Sequence, residues 1–104
     1  MEKNKYEIKY LPRFITEFNN ILYYLTYELD NKIVAEQFYN EVIRKIEKRS
    51  EAPTSFEVFR TLRNSKINWY KINVKKYTIF YVVKDNTMEV RRILHSKRNL
   101  EKYI

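Results

Sequence analysis

From Tyr77 to Val83 the chain is apolar at every position except Thr78. A strand with one face in water alternates apolar and polar residues, whereas one covered on both faces does not. The run therefore predicts a strand at the centre of a sheet. Just before it, Tyr70, Ile72 and Val74 alternate with Lys71, Asn73 and Lys75, which predicts a strand with one wet face. A third strand, near Met88 to Leu94, leads into His95-Ser96-Lys97-Arg98. Lys75-Lys76 and Asp85-Asn86 are the turn tips that join the three. The chain has no glycine, but Asp and Asn tolerate left-handed backbone, so Asp85-Asn86 suits a two-residue hairpin loop.

Upstream, Tyr6, Ile8 and Tyr10 alternate with Glu7 and Lys9, which predicts a half-buried strand over Lys5 to Tyr10. Leu11-Pro12 ends it, and proline suits the first turn of a helix. Phe14, Phe18, Ile21, Leu22, Leu25 and Leu29 then recur at steps of three or four, giving one apolar stripe. Asp30-Asn31 breaks the helix and offers an N-cap for a second one. The second stripe is Val34, Ala35, Phe38, Val42 and Ile46, with Ile43 beside them. Arg44, Lys45, Lys48 and Arg49 crowd its last turns, where cations complement the helix dipole. So short a loop folds the helices into an antiparallel hairpin, and both stripes need the sheet to cover them. Ser50 to Ser55 reads as a loop through Pro53. Phe56 to Leu62 is ambiguous, with helical spacing over less than two turns. The expected fold is α+β, in the order β-α-α-β-β-β. The N-terminal strand and helical hairpin pack on one face of a mainly antiparallel sheet, as one domain over residues 1–104.

Composition excludes several chemistries. With no cysteine there are no disulfides, thiolate metal sites or cysteine nucleophiles. Without glycine a phosphate-cradling loop or dinucleotide fingerprint has no backbone to use. One histidine makes a histidine metal centre a poor expectation. Neither a cofactor nor a metal is expected. No apolar run reaches membrane-spanning length and the N-terminus lacks a signal-peptide core, so a cytoplasmic location is expected.

The charge is uneven. Residues 60–104 carry twelve Lys/Arg against three Asp/Glu, while residues 1–59 carry nine against ten, and the chain totals +8. The surplus belongs to the sheet half and the tail. It suits a polyanion or an acidic protein partner, the alternative being a solvated basic surface. Tyrosine is abundant at 10 residues. Tyr23, Tyr24 and Tyr27 sit together on the first helix, either half-buried in the domain or as part of a partner patch.

The segments YKINVKKYTIFYVV and MEVRRILHSKRNLEKYI, with AEQFYNEVIRKIEKRSEAP upstream, resemble the RelE/ParE superfamily of toxins from bacterial type II toxin–antitoxin pairs. The resemblance covers essentially the whole chain. Arg92 to Asn99 is most similar to the ParE branch, whose members end a strand with an Ile-Leu-His-x-Arg-Arg-Asp type of run. ParE-like members act by poisoning DNA gyrase, without hydrolysis of their own. RelE-like members cut messenger RNA on the ribosome without a metal, using Lys, Arg and Tyr side chains to orient the 2′-hydroxyl and neutralise phosphate.

The RelE-type site carries over in part. Its strand Lys matches Lys71, and its terminal Arg and later Tyr match Arg98 and Tyr103, with spacing one residue short. Its second Lys is Asn73 here, and its Arg after the strand-starting Tyr is Thr78. Aimed cations are worth several kcal/mol each against the charge that builds in phosphodiester cleavage. His95 offers a substitute acid or base, or else a structural hydrogen bond. A catalytic set would thus be Lys71, His95, Arg98 and Tyr103. Arg91 and Arg92 point to opposite faces if their strand is regular, and a bulge would change that.

The resemblance implies a ParE-like toxin that binds and disables a macromolecular target, DNA gyrase first, through Lys75, Lys76, Arg91, Arg92, Lys97 and Arg98. A ribosome-dependent RNase acting on mRNA and a non-toxic binding module on the same fold are the alternatives. It also implies a cognate acidic antitoxin in a hetero-oligomer, with Arg13, Tyr23, Tyr24 and Tyr27 as candidate contacts.

Overall fold

The computed structural model describes residues 6–60 and 66–97. Strand β1 (Glu7–Tyr10) leads into helix α1 (Pro12–Tyr23), which continues as one π-helical turn over Tyr24–Glu28. Helix α2 (Lys32–Arg49) follows, and then strands β2 (Tyr70–Val74), β3 (Tyr77–Lys84) and β4 (Thr87–His95). The sheet order is β1-β4-β3-β2. β1 runs parallel to β4, while β2–β3 and β3–β4 are antiparallel. The expected α+β class and element order both stand.

Both hairpin loops are two residues long, Lys75-Lys76 and Asp85-Asn86. Lys75 and Asp85 each sit at φ 55°, the left-handed region that a glycine-free chain must fill with other residues. Asp30 does the same at φ 50° after the π-helical turn. There the Asn31 amide donates to the Leu25 carbonyl and the Leu29 amide to the Tyr24 carbonyl, both at 3.0 Å. Asn31 caps α2, its Oδ1 accepting from the Val34 amide at 3.2 Å.

The π-helical turn inserts a residue into the expected apolar stripe. Phe14 and Phe18 stay buried and Leu25 half-buried, but Leu29 is turned out to 54% exposure. Val34, in the first turn of α2, is exposed as well, so the buried stripe of that helix is Ala35, Phe38, Val42 and Ile46.

The helices cover one face of the sheet. Phe14, Phe18, Phe38, Val42 and Ile46 pack there on Ile72, Val74, Ile79, Tyr81, Met88, Val90 and Ile93. A smaller cluster covers the far face, where Trp69, Phe80, Val82 and Leu94 are buried with Phe59 and Ile67 against them. β3 is thus enclosed on both sides, as its unbroken apolar run requires. The ambiguous segment supplies part of this cover. Phe59 is extended and bridges to Trp69 through two backbone hydrogen bonds.

Helix side chains close the sheet edges. On β2, the carbonyls of Lys71 and Asn73 accept from Arg49 Nη1 and Lys45 Nζ, each at 3.1 Å. On β4, β1 ends opposite Val90 and Glu17 of α1 takes its place. Glu17 Oε1 accepts from the Ile93 amide at 3.0 Å, and Oε2 from Arg92 Nε at 2.8 Å and from Arg92 Nη2. Open strand edges invite pairing with other chains, and these contacts occupy part of the open edge on β2 and β4.

Candidate functional site

The register of β2, β3 and β4 decides which candidate side chains can meet. Tyr77, Ile79 and Tyr81 face the helices, so Thr78 and Phe80 face away, and Lys71 and Asn73 do so on β2. His95 lies opposite Tyr77, its ring edge-on to the tyrosine at 5.4 Å, on the helix side. Lys71 and His95 therefore occupy opposite faces of the sheet. The structure does not bring the two together. Arg98 and Tyr103, the other members of the expected RNase set, lie outside the described residues.

The far face has a neutral centre. Asn73 and Thr78 are register partners. The Thr78 hydroxyl donates to Asn73 Oδ1 at 3.2 Å, and the Ser96 hydroxyl lies 2.8 Å from Thr78 Oγ1. With the Thr78 proton committed to Asn73, Ser96 donates. Thr78 is 2% exposed. This chain of neutral groups occupies the two positions where the RelE resemblance would place cations.

The cations around it are held by other groups. Lys71 Nζ lies 4.4 Å above the Phe59 ring. Arg91 donates through Nη2 to Glu89 Oε1 at 2.9 Å, and its guanidinium lies 5.5 Å from the Trp69 ring. That hydrogen bond holds the Glu89 carboxyl below its ordinary value near 4.5. The β3–β4 register slips between Phe80 and Tyr81, which leaves Arg91 as the extra residue of a bulge. The regular strand assumed from the sequence is thus broken there. Arg92 is buried and tied to Glu17, so its guanidinium is engaged within the molecule rather than at the surface.

On the helix side, a groove runs between the hairpin tip and the β2–β3 loop. Ile21, Tyr24, Leu25, Leu29, Val34 and Phe38 form one wall and Lys75, Lys76, Tyr77 and His95 the other. The π-helical turn supplies two wall residues, Tyr24 and Leu25, and such turns are frequent at functional sites. His95 Nδ1 accepts from the Lys97 amide at 3.2 Å, which leaves the ring proton on Nε2. Lys75, Lys76 and Lys97 are exposed. Lys75 Nζ lies 3.8 Å from Glu41. Of the candidate partner residues, Tyr24 lines the groove, while Tyr23 and Tyr27 pack on each other at 4.8 Å and are 63% and 69% exposed. Arg13 is exposed near the start of α1. The groove and its π-helical turn carry no local sequence signal.

Among the described residues no cluster of three His, Asp or Glu could hold a metal, and no helix is long and apolar enough to cross a membrane.

No curated protein matches the chain in sequence. Among solved structures, one described as the chromosomal ParDE TA system from P. aeruginosa shares the fold. Its TM-score is 0.66 at 10% identity, over 89% of this chain and 98% of that one. The profile of the family described as ParE toxin of type II toxin-antitoxin system, parDE, matches residues 8–100. That match takes in the helical hairpin, the closed sheet edges and both faces described above, and on it the chain belongs to the ParE toxin family.

Proposed function

We infer that this chain is the growth-arresting toxin of its pair and that it acts by binding DNA gyrase, not by cutting RNA. One observation carries the reading: Asn73, Thr78 and Ser96 bond to one another where phosphodiester cleavage needs cations. The split of Lys71 and His95 across the sheet agrees with it. Target contact falls to the exposed cations Lys75, Lys76 and Lys97, with Arg98 beyond the described residues.

The cognate antitoxin is assigned to the groove. Its apolar wall suits the apolar face of a partner segment, and Lys75 and Lys76 suit acidic residues beside that face. The complex is a hetero-oligomer formed in the cytoplasm.

The test is a supercoiling assay with purified gyrase, run beside a transcript-cleavage assay in translating extract. Inhibited gyrase with intact transcripts is the expected pair of results. Unaffected gyrase with rapid cleavage would overturn the reading, as would unchecked growth on induction without the antitoxin.

A further inference from the structure

The four cations at the end of α2 divide into two pairs with different fates. Lys45 and Arg49 clamp the β2 edge, and Arg49 also donates to the Tyr81 hydroxyl at 2.9 Å, with its guanidinium 3.6 Å above the Phe56 ring. Arg44 and Lys48, one helical turn apart, are exposed. Arg44 makes no ion pair among the described residues. The Lys48 side chain is 80% exposed and lies 3.9 Å from Glu51. The clamp sets this helix end against the edge of β2, so that all four cations line one furrow with Ile72 and Asn73. The near-neutral charge of residues 1–59 conceals the cluster, because acidic residues elsewhere in that half offset it.

We propose that this β2 side of the molecule docks on the sugar–phosphate backbone of duplex DNA, with Arg44 and Lys48 as its principal contacts. A helix advances about 6 Å per four residues, so the pair spans about two base-pair rises along the duplex axis. The furrow beside them is also lined by Glu51, and its apolar floor is small, Ala52, Phe56 and Ile72. That is too little to seat the i, i+3, i+4, i+7 anchors of an amphipathic helix, which the groove at Tyr24 and Leu25 can do. Charge without apolar depth is what backbone contact needs. The proposal extends the gyrase reading, since gyrase works on DNA, and gives the toxin its own hold on the nucleic acid.

The test is anisotropy of a short labelled duplex of mixed sequence, titrated with the full chain at several salt concentrations. The affinity should fall linearly with salt on logarithmic axes. Arg44→Gln with Lys48→Gln should reduce that slope by about 2. Lys32→Gln, at the other end of α2, should leave it unchanged, and thermal melts should show all variants folded. An unchanged slope in the double variant would overturn the proposal. So would equal affinity for a poly-glutamate peptide at the same ionic strength, which would make this a protein surface. Gyrase inhibition without duplex binding removes this proposal and leaves the gyrase reading standing. Duplex binding with the expected slope and no gyrase inhibition does the reverse.

Discussion

Asn73 and Thr78 stand directly opposite one another on β2 and β3, and the Thr78 hydroxyl donates to Asn73 Oδ1 across 3.2 Å. The pair ties β2 to β3 on the far face of the sheet, at the two positions where the resemblance to RelE-like members implies cations. A guanidinium in place of Thr78 would have to enter a site that is 2% exposed and already filled. The residues therefore answer to stability. Thr78→Val should cost about 2 kcal/mol in a urea melt, about 1 for each of the two hydrogen bonds that the hydroxyl makes. It should leave growth arrest on induction unchanged. Loss of arrest in a variant that still folds would point back to chemistry at this spot.

Glu17 closes the β4 edge and pairs with the buried Arg92. Glu17→Ala leaves a guanidinium without that carboxylate and the Ile93 amide without an acceptor. Breaking a buried pair in this way costs about 3 kcal/mol. Glu17→Leu combined with Arg92→Met should recover most of that loss, because the desolvation of both charges disappears along with their attraction. Equilibrium unfolding of the single and double variants checks the pattern. Additive losses would mean that the two side chains act independently.

Much of this architecture was readable because it is written in local periodicity. The unbroken run from Tyr77 to Val83, the alternation around Lys71 and Asn73, both turn tips and the Asn31 cap depend on neighbours in sequence. What could not be read depends on contacts made across the chain. The parallel pairing of Glu7 with Thr87, which seats β4 inside the sheet, has no local mark. The bulge at Arg91 arises from register with Phe80 and Tyr81. Arg92 looked like a surface cation because its partner, Glu17, lies in a helix far upstream. Lys71 and His95 lie on opposite faces for a similar reason. Lys71 came from the resemblance and His95 from its chemistry, but a side chain's face is set by strand register. The substitutions at Asn73 and Thr78, by contrast, were visible directly and foretold the neutral centre.

Lys75 occupies left-handed backbone at φ 55° at the tip of the β2–β3 loop. A lysine has no side-chain group that bonds its own backbone there, whereas an aspartate does. Lys75→Gly should therefore raise stability by about 1 kcal/mol, less the weak attraction to Glu41. Asp85→Gly, at the same φ in the other hairpin, should gain less. Paired thermal melts measure the difference, and a larger gain at Asp85 would contradict the assignment of strain to Lys75.

Acid should weaken the far face through Glu89. The hydrogen bond from Arg91 is the main cause that lowers its pKa, with Arg91, Lys84 and Lys9 adding attraction and burial opposing them. The folded value thus lies below the unfolded one, near 4.5. Where the unfolded chain binds more protons, stability falls as pH falls. The contribution of the pair is complete above about pH 4.5 and disappears as pH drops through the folded value. Glu89→Gln, which resembles the protonated acid, should melt below the parent protein at pH 7. The two should converge as pH drops through the folded value, once the carboxyl of the parent is neutral too. Melting curves that stay parallel across that range would show that the Arg91–Glu89 contact contributes nothing to the fold.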